Sequence, residues 1–272
     1  MAEDIFKIGP AGHKKRLTAL LRDNARRHRL SEVFSDFCEV AALAISNAVD
    51  IPQFKEREAR YLAIVGRYER EEVERFPAML AALTAWMECV GMADCLGELF
   101  MSLDLGDGFK GQFFTPYEVS RLMAGLTLGQ DVRSQVESQG YIRLSEPTCG
   151  AGGMAIAFAD ALQEQQLNYQ QCLHVTAQDI DRTAVHMTYL QLSLLHVPAV
   201  VILGNTLAME VRERWYTPAH IMGGWGARLR SRNAHVAAPQ ILEVVPPADA
   251  MAEEGAAVWK AAPAALDQLA LF

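Results

Sequence analysis

Nine consecutive residues, Glu146-Pro147-Thr148-Cys149-Gly150-Ala151-Gly152-Gly153-Met154, combine an acid, a cysteine and three glycines in an order that can hold a ligand. They follow the apolar run Tyr141-Ile142-Arg143-Leu144 and precede Met154-Ala155-Ile156-Ala157-Phe158, so the pattern reads strand, glycine turn, helix. Gly150 and Gly152 let the backbone come close to a ligand and take positive φ at little cost. The helix beyond them aims its unpaired N–H groups into the turn. A nucleotide-type pocket at the carboxyl end of a strand is the expected result. The spacing E-P-x-C-G-x-G differs from G-x-G-x-x-G, which argues against a dinucleotide and for S-adenosylmethionine.

Other residues join this pocket on their own chemistry. Glu146 is a carboxylate at a strand end and suits the methionine ammonium. Asp179 closes the run Leu173-His174-Val175-Thr176, where an acid accepts ribose hydroxyls in folds of this kind. Asp181 is placed to cap the helix over 183–196. Cys149 reads as a small packing residue, since no His or Lys stands near it in sequence to activate it. His174, His186 and His196 lack metal spacing and read as packing or surface residues.

Two segments flank the turn: Gly111-Gln112-Phe113-Phe114-Thr115-Pro116-Tyr117-Glu118-Val119 upstream and Ala177-Gln178-Asp179-Ile180-Asp181 downstream. The three in this order resemble the N6-adenine DNA methyltransferase family, and most of all the modification subunits of type I restriction systems. The resemblance covers positions 93 to 208, roughly. It implies a Rossmann-like domain that binds S-adenosylmethionine through Gln112, Phe113 and Thr115, through Glu146, Pro147, Cys149, Gly150 and Gly152, and through Asp179, Ile180, Asn205 and Thr206. In the family the Thr-Pro turn touches the amino-acid end of the cofactor. Thr115-Pro116-Tyr117-Glu118 also reads as a capping signal, with Thr at N-cap, Pro at N1 and Glu at N3. The family often has G-D-[ST]-L after the third strand. Here the segment is Gly204-Asn205-Thr206-Leu207, and Asn205 can accept from the adenine amine and donate to its N1.

The family also carries N-P-P-[YF], whose amide, carbonyl and ring hold a flipped base. No such segment occurs in this chain. The nearest echo is Ile241-Leu242-Glu243-Val244-Val245-Pro246-Pro247-Ala248, and Trp215, Tyr216 and Trp225 are aromatic candidates for the same task or for a packed extension.

Outside this region, residues 14–100 read as helical. Ser31 is an N-cap candidate for a helix with the stripe Val33, Phe34, Phe37, Val40, Ala41, Ala44, Ile45, Ala48. Pro52 ends it, a charged helix runs from Lys55 to Glu74, and Pro77 opens another. From 111 to 205 strands and helices alternate, which predicts a parallel sheet. The expected division is a helical domain over 1–110, a methyltransferase-like domain over 111–245, and a linker with a peptide motif over 246–272. Fold class is α/β.

The chain has 272 residues, 51% of them apolar and 21% charged, an ordinary globular composition. Its five scattered cysteines form no C-x-x-C pair, in keeping with a reduced, cytoplasmic protein. Net charge is −8, yet residues 1–31 hold eight Lys/Arg against three Asp/Glu. DNA contact is therefore expected at this basic N-terminal arm. The final residues Gln268-Leu269-Ala270-Leu271-Phe272 resemble the pentapeptide by which bacterial proteins bind the replicative sliding clamp, with Gln268, Leu269, Leu271 and Phe272 as contacts.

The sequence thus supports a DNA adenine-N6 methyltransferase-like protein of bacterial, plasmid or phage type, truncated, and either whole in itself or part of a complex with other restriction-modification subunits. The alternatives are an inactive methyltransferase-like protein that binds DNA or a partner, and a clamp-targeted adaptor.

Overall fold

A computed structural model describes residues 8–105, 114–129 and 131–237. Gln112, Phe113, the Ile241–Ala248 echo and the C-terminal pentapeptide lie outside these residues. The first compact unit runs to Gly226; the second begins at Ala227, and its described residues continue one helix.

Among the described residues, six α-helices open the first unit: α1 (Pro10–Asn24), α2 (Leu30–Val49), α3 (Phe54–Val65), α4 (Arg70–Val73), α5 (Arg75–Val90) and α6 (Cys95–Ser102). The helix α2 starts one residue before Ser31, at N-cap Arg29, and Ser31 makes no cap. Its buried surface is broader than the expected stripe. Asp36, Cys38, Glu39, Ala42, Leu43 and Ser46 are buried as well, whereas Ala44 and Ala48 are exposed. The reason is that α2 packs against α1, α3, α5 and α11 (defined below) rather than one neighbour. The expected helix from 55 to 74 is broken between α3 and α4. There Tyr68 Oη donates to Asp36 at 2.7 Å and Arg67 pairs with the same acid at 2.8 Å, so the chain turns where two side chains reach back to α2.

The rest of the unit is α7 (Tyr117–Leu128), α8 (Val132–Gln139), β1 (Ile142–Glu146), α9 (Gly153–Glu164), α10 (Tyr169–Cys172), β2 (Leu173–Asp179), α11 (Arg182–Leu194), β3 (Ala199–Asn205), β4 (Glu210–Tyr216) and α12 (Pro218–Met222), with α13 (Trp225–Ala237) starting at its end. The sheet order is β1-β2-β3-β4. The first three strands are parallel, with Glu146 beside Ala177 and Asp179 beside Leu203. The fourth is antiparallel to β3, with a register shift opposite Leu203/Gly204 of β3. Helix α9 links β1 to β2 and α11 links β2 to β3, and each packs on the strands it joins, since parallel neighbours need a helical crossover between them.

Sequence reasoning missed β4. Its Trp215 is fully buried against His186 and Tyr189 of α11. The Arg57 guanidinium stacks on the same ring at 4.2 Å, pairs with Asp50 at 2.7 Å, and donates from Nη2 to the Arg214 carbonyl at 2.8 Å. One arginine of α3 thereby occupies a main-chain acceptor on the outer edge of the sheet. The boundary expected near 110 does not divide the core. A single apolar cluster includes Leu17, Phe34, Leu83, Leu99, Phe158, Leu190 and Trp215, because α2 and α6 both pack on α11.

Candidate functional site

The carboxyl ends of β1, β2 and β3 converge on one set of loops. Glu146 ends β1, and the Pro147–Gly152 turn follows. Gly150 has φ +53° and Gly152 φ +95°, the left-handed values for which glycine suits a turn. A β-carbon on Gly150 would lie 2.8 Å from Phe114 Cδ1, so Phe114, which sequence reasoning did not single out, covers the turn. Its ring also contacts Phe100 with centroids 5.0 Å apart.

Asp179 ends β2 and its carboxylate is already ordered. Oδ2 accepts from the Gly150 amide at 2.9 Å and Oδ1 from the Asp181 amide at 2.9 Å. Each oxygen keeps a further lone pair. The turn is also tied to β2 through Cys149 N–H to the Gln178 carbonyl at 2.9 Å. Thr206, after β3, donates to the Pro147 carbonyl at 2.7 Å. Thr188 of α11 donates to the Gly150 carbonyl at 2.8 Å. No motif marks Thr188; only its place on α11 brings it there.

Electrostatics favour a cationic ligand here. Burial pushes Glu146 above the ordinary carboxylate value, against its bond from Thr148, and the nearby Asp179 adds to the rise. Burial likewise raises Asp179, opposed by the Asp181 and Gly150 amides. Neither acid pairs with a cation among the described residues. Cys149 is buried and burial pushes its thiol up, so it is a packing thiol rather than a nucleophile.

The remaining expected contacts are placed unequally. Asn205 ends β3, but its Oδ1 accepts from the Ala208 amide at 3.2 Å and closes the β3–β4 turn. Its amide hydrogens and one lone pair are left for a ligand. Ile180 follows Asp179 and is 58% exposed. Thr115 does not cap α7: Pro116 is the N-cap, which puts Glu118 at N2, and no side chain caps that end. The Val119 and Ser120 amides bond to the Pro116 carbonyl instead. Asp181 caps α11 as expected, accepting from the Ala184 amide at 2.9 Å. Trp215 and Trp225 are both buried, Trp225 against Tyr141 and His174, so they pack rather than wait for a base. Lys14 pairs with Glu98 and Arg27 with Glu69, while Lys15, Arg16, Arg22 and Arg29 are exposed without an ion pair among the described residues.

Among the described residues no group of three His, Cys, Asp or Glu side chains is placed to hold a metal ion. His174 Nε2 and His220 Nδ1 share a hydrogen bond of 2.9 Å. His186 is buried with neither ring nitrogen hydrogen-bonded. Its Nδ1 is 3.8 Å from Glu39 Oε2, too far for a hydrogen bond, and Glu39 is engaged by Arg60. Burial, with Arg60, Arg182 and Arg57 nearby, holds its pKa well below 6.5. The unfolded chain therefore takes up a proton near pH 6.5 that the native state refuses. The stability contributed by neutral His186 is present above that pH and is lost as pH falls through it. Melting temperature is expected to drop between pH 7 and pH 5, and His186→Phe should flatten the drop. An unchanged slope in that variant would assign it to other groups.

A strand–glycine turn–helix unit with acids at successive strand ends defines the class: an α/β protein with a glycine turn at the carboxyl edge of its sheet. Residues 104–222 match the family model described as N-6 DNA Methylase, so this stretch of the chain is similar to that family. No curated protein and no solved structure matches the chain. No single described helix is long and apolar enough to cross a membrane.

Proposed function

We propose that the chain binds S-adenosylmethionine at the Pro147–Gly152 turn of a Rossmann-like domain and serves in adenine-N6 methylation of DNA, as modification subunits of type I systems do. The carrying observation is the pair of partly buried carboxylates, Glu146 and Asp179, that meet at the turn with no cationic partner among the described residues. Such a donor set fits a ligand with an ammonium, a sulfonium and a ribose diol. Asp179 accepts the ribose hydroxyls with its spare lone pairs, Glu146 receives the ammonium, and the α9 N-terminus supplies N–H groups. Asn205 donates to adenine N1, and Ile180 offers an apolar surface to the ring. When bound, the cofactor supplies an electrophilic methyl group. Without N-P-P-[YF] in the sequence, transfer by this chain alone is expected to be slow and to rise with a partner subunit.

Calorimetry with S-adenosylmethionine tests the pocket, and labelled methyl transfer to DNA, with and without candidate subunits, tests the reaction. No heat of binding from the intact chain would end the proposal. Asp179→Ala is expected to weaken binding by roughly 1.5–3 kcal/mol, about tenfold to a hundredfold, since a charged acceptor is lost. Some of that loss acts through the Gly150 amide that Asp179 holds. An unaltered dissociation constant would remove Asp179 from the site.

A further inference from the structure

The glycine turn is flexible by composition, yet its two middle carbonyls are held by α11. Thr188 Oγ1 donates to the Gly150 carbonyl at 2.8 Å, and Gln191 Nε2 donates to the Ala151 carbonyl at 2.8 Å. These side chains are three residues apart and so share one helix face. Gln191 is fully buried and uses its amide almost completely. Its second N–H goes to Asp94 Oδ1 at 2.7 Å, and its Oε1 accepts from the Leu96 amide at 3.0 Å. Asp94, itself 7% exposed, also accepts from the Gly97 amide at 2.8 Å and caps α6. Only one amide orientation satisfies this arrangement. If Gln191 were flipped, its oxygen would face both the Asp94 carboxylate and the Ala151 carbonyl, and the Leu96 amide would meet another donor.

We propose that Gln191, oriented by Asp94 and the Leu96 amide, is a positioning residue that fixes the Gly150–Gly152 turn and so sets the affinity of the cofactor pocket. The proposal deepens the S-adenosylmethionine reading and rests on it for its ligand. With the Gly150 and Ala151 carbonyls held by α11, and the Cys149, Gly150 and Gly152 amides bonded to Gln178, Asp179 and Cys149, the ligand side of the turn is left to the two acids. Glycines at 150 and 152 permit many other conformations, and a carbonyl swung into the pocket would oppose the carboxylate of an amino-acid ligand. The α6 end of the helical segment thereby contributes to ligand binding without touching the ligand.

The test uses the full chain and two variants. Gln191→Met keeps the volume and removes both donors; Gln191→Asn keeps an amide that is too short to reach Asp94 and Ala151 together, and it serves if the Met variant fails to fold. Calorimetry with S-adenosylmethionine is expected to show binding weakened about tenfold or more, the scale for a buried hydrogen bond left unmade. Leu192→Ala, a core change next to Gln191 in sequence, is expected to lower the melting temperature while the folded protein binds within about twofold of wild type. In the ligand-free variants the backbone amide signals of Gly150, Ala151 and Gly152 should shift and exchange faster than in wild type. Wild-type binding combined with unchanged affinity in both Gln191 variants would overturn the positioning role. If wild type binds no S-adenosylmethionine, the cofactor reading falls instead, and the turn amides still decide: unchanged exchange in the Gln191 variants would overturn the pinning of the turn as well.

Discussion

Gly150→Val is expected to abolish S-adenosylmethionine binding while the protein remains folded. At φ +53° a β-carbon is strained, at a cost of roughly 1–2 kcal/mol. That carbon would also stand 2.8 Å from Phe114 Cδ1, and valine adds two methyl groups beyond it. The chain must relieve the clash by moving Phe114 or by turning the peptide. Turning the peptide breaks the Gly150 N–H bond to Asp179 and the Thr188 bond to the Gly150 carbonyl, and moving Phe114 uncovers the turn. Gly150 itself is only half-buried, and the clash falls on Phe114, a partly buried residue at the edge of the core, so circular dichroism should change little. Calorimetry checks the result, with an expected loss beyond about a hundredfold, or more than about 2.7 kcal/mol. Wild-type affinity in Gly150→Val would show that this is not the cofactor turn.

Trp215→Ala is expected to produce the largest loss of stability, about 3–5 kcal/mol. Trp215 has no exposed surface and meets His186, Tyr189 and Arg57. Its removal leaves a cavity between β4 and α11 and takes away the ring on which the Arg57 guanidinium lies. Arg57 keeps Asp50, so its charge stays paired, but it loses the support that aims it at the Arg214 carbonyl. For a unit of this size the melting temperature should fall by about 10 °C. Denaturant unfolding measures the change, and a loss under about 1 kcal/mol would contradict the packing role. S-adenosylmethionine affinity at low temperature should be nearly unaffected. His186 and Tyr189, which meet Trp215, are each two residues from Thr188 or Gln191, so the ring contacts and the turn contacts fall on different faces of α11. Comparison with Gly150→Val then separates fold from pocket.

Much of the turn's geometry was legible because it is local. The residues 146–153 set a strand end, a glycine turn and a helix start within one segment, and the two positive-φ glycines stand where that reading needs them. Asp179 at the end of β2 and the Asp181 cap followed from alternation and cap chemistry alone. Cap positions were less legible. Thr115 and Ser31 both have cap chemistry, yet the helices begin at neighbouring residues, since a shift of one residue costs little and packing decides it.

The sequence by itself determined the alternation of β1, α9, β2, α11 and β3 and the glycine turn with Glu146 and Asp179 at its strand ends, because backbone preference and strand–helix alternation act over a few residues. Only the tertiary structure decided what holds them. The strand β4 carries four charged residues among seven, and it is a strand because Trp215 fills a space on α11 and Arg57 reaches its edge. Thr188 and Gln191 lie inside the helix expected over 183–196 with nothing to mark them, and no motif includes Asp94. Their meeting at the Gly150 and Ala151 carbonyls joins segments up to 97 residues apart, and a contact over that distance depends on how helices pack, which no local pattern records.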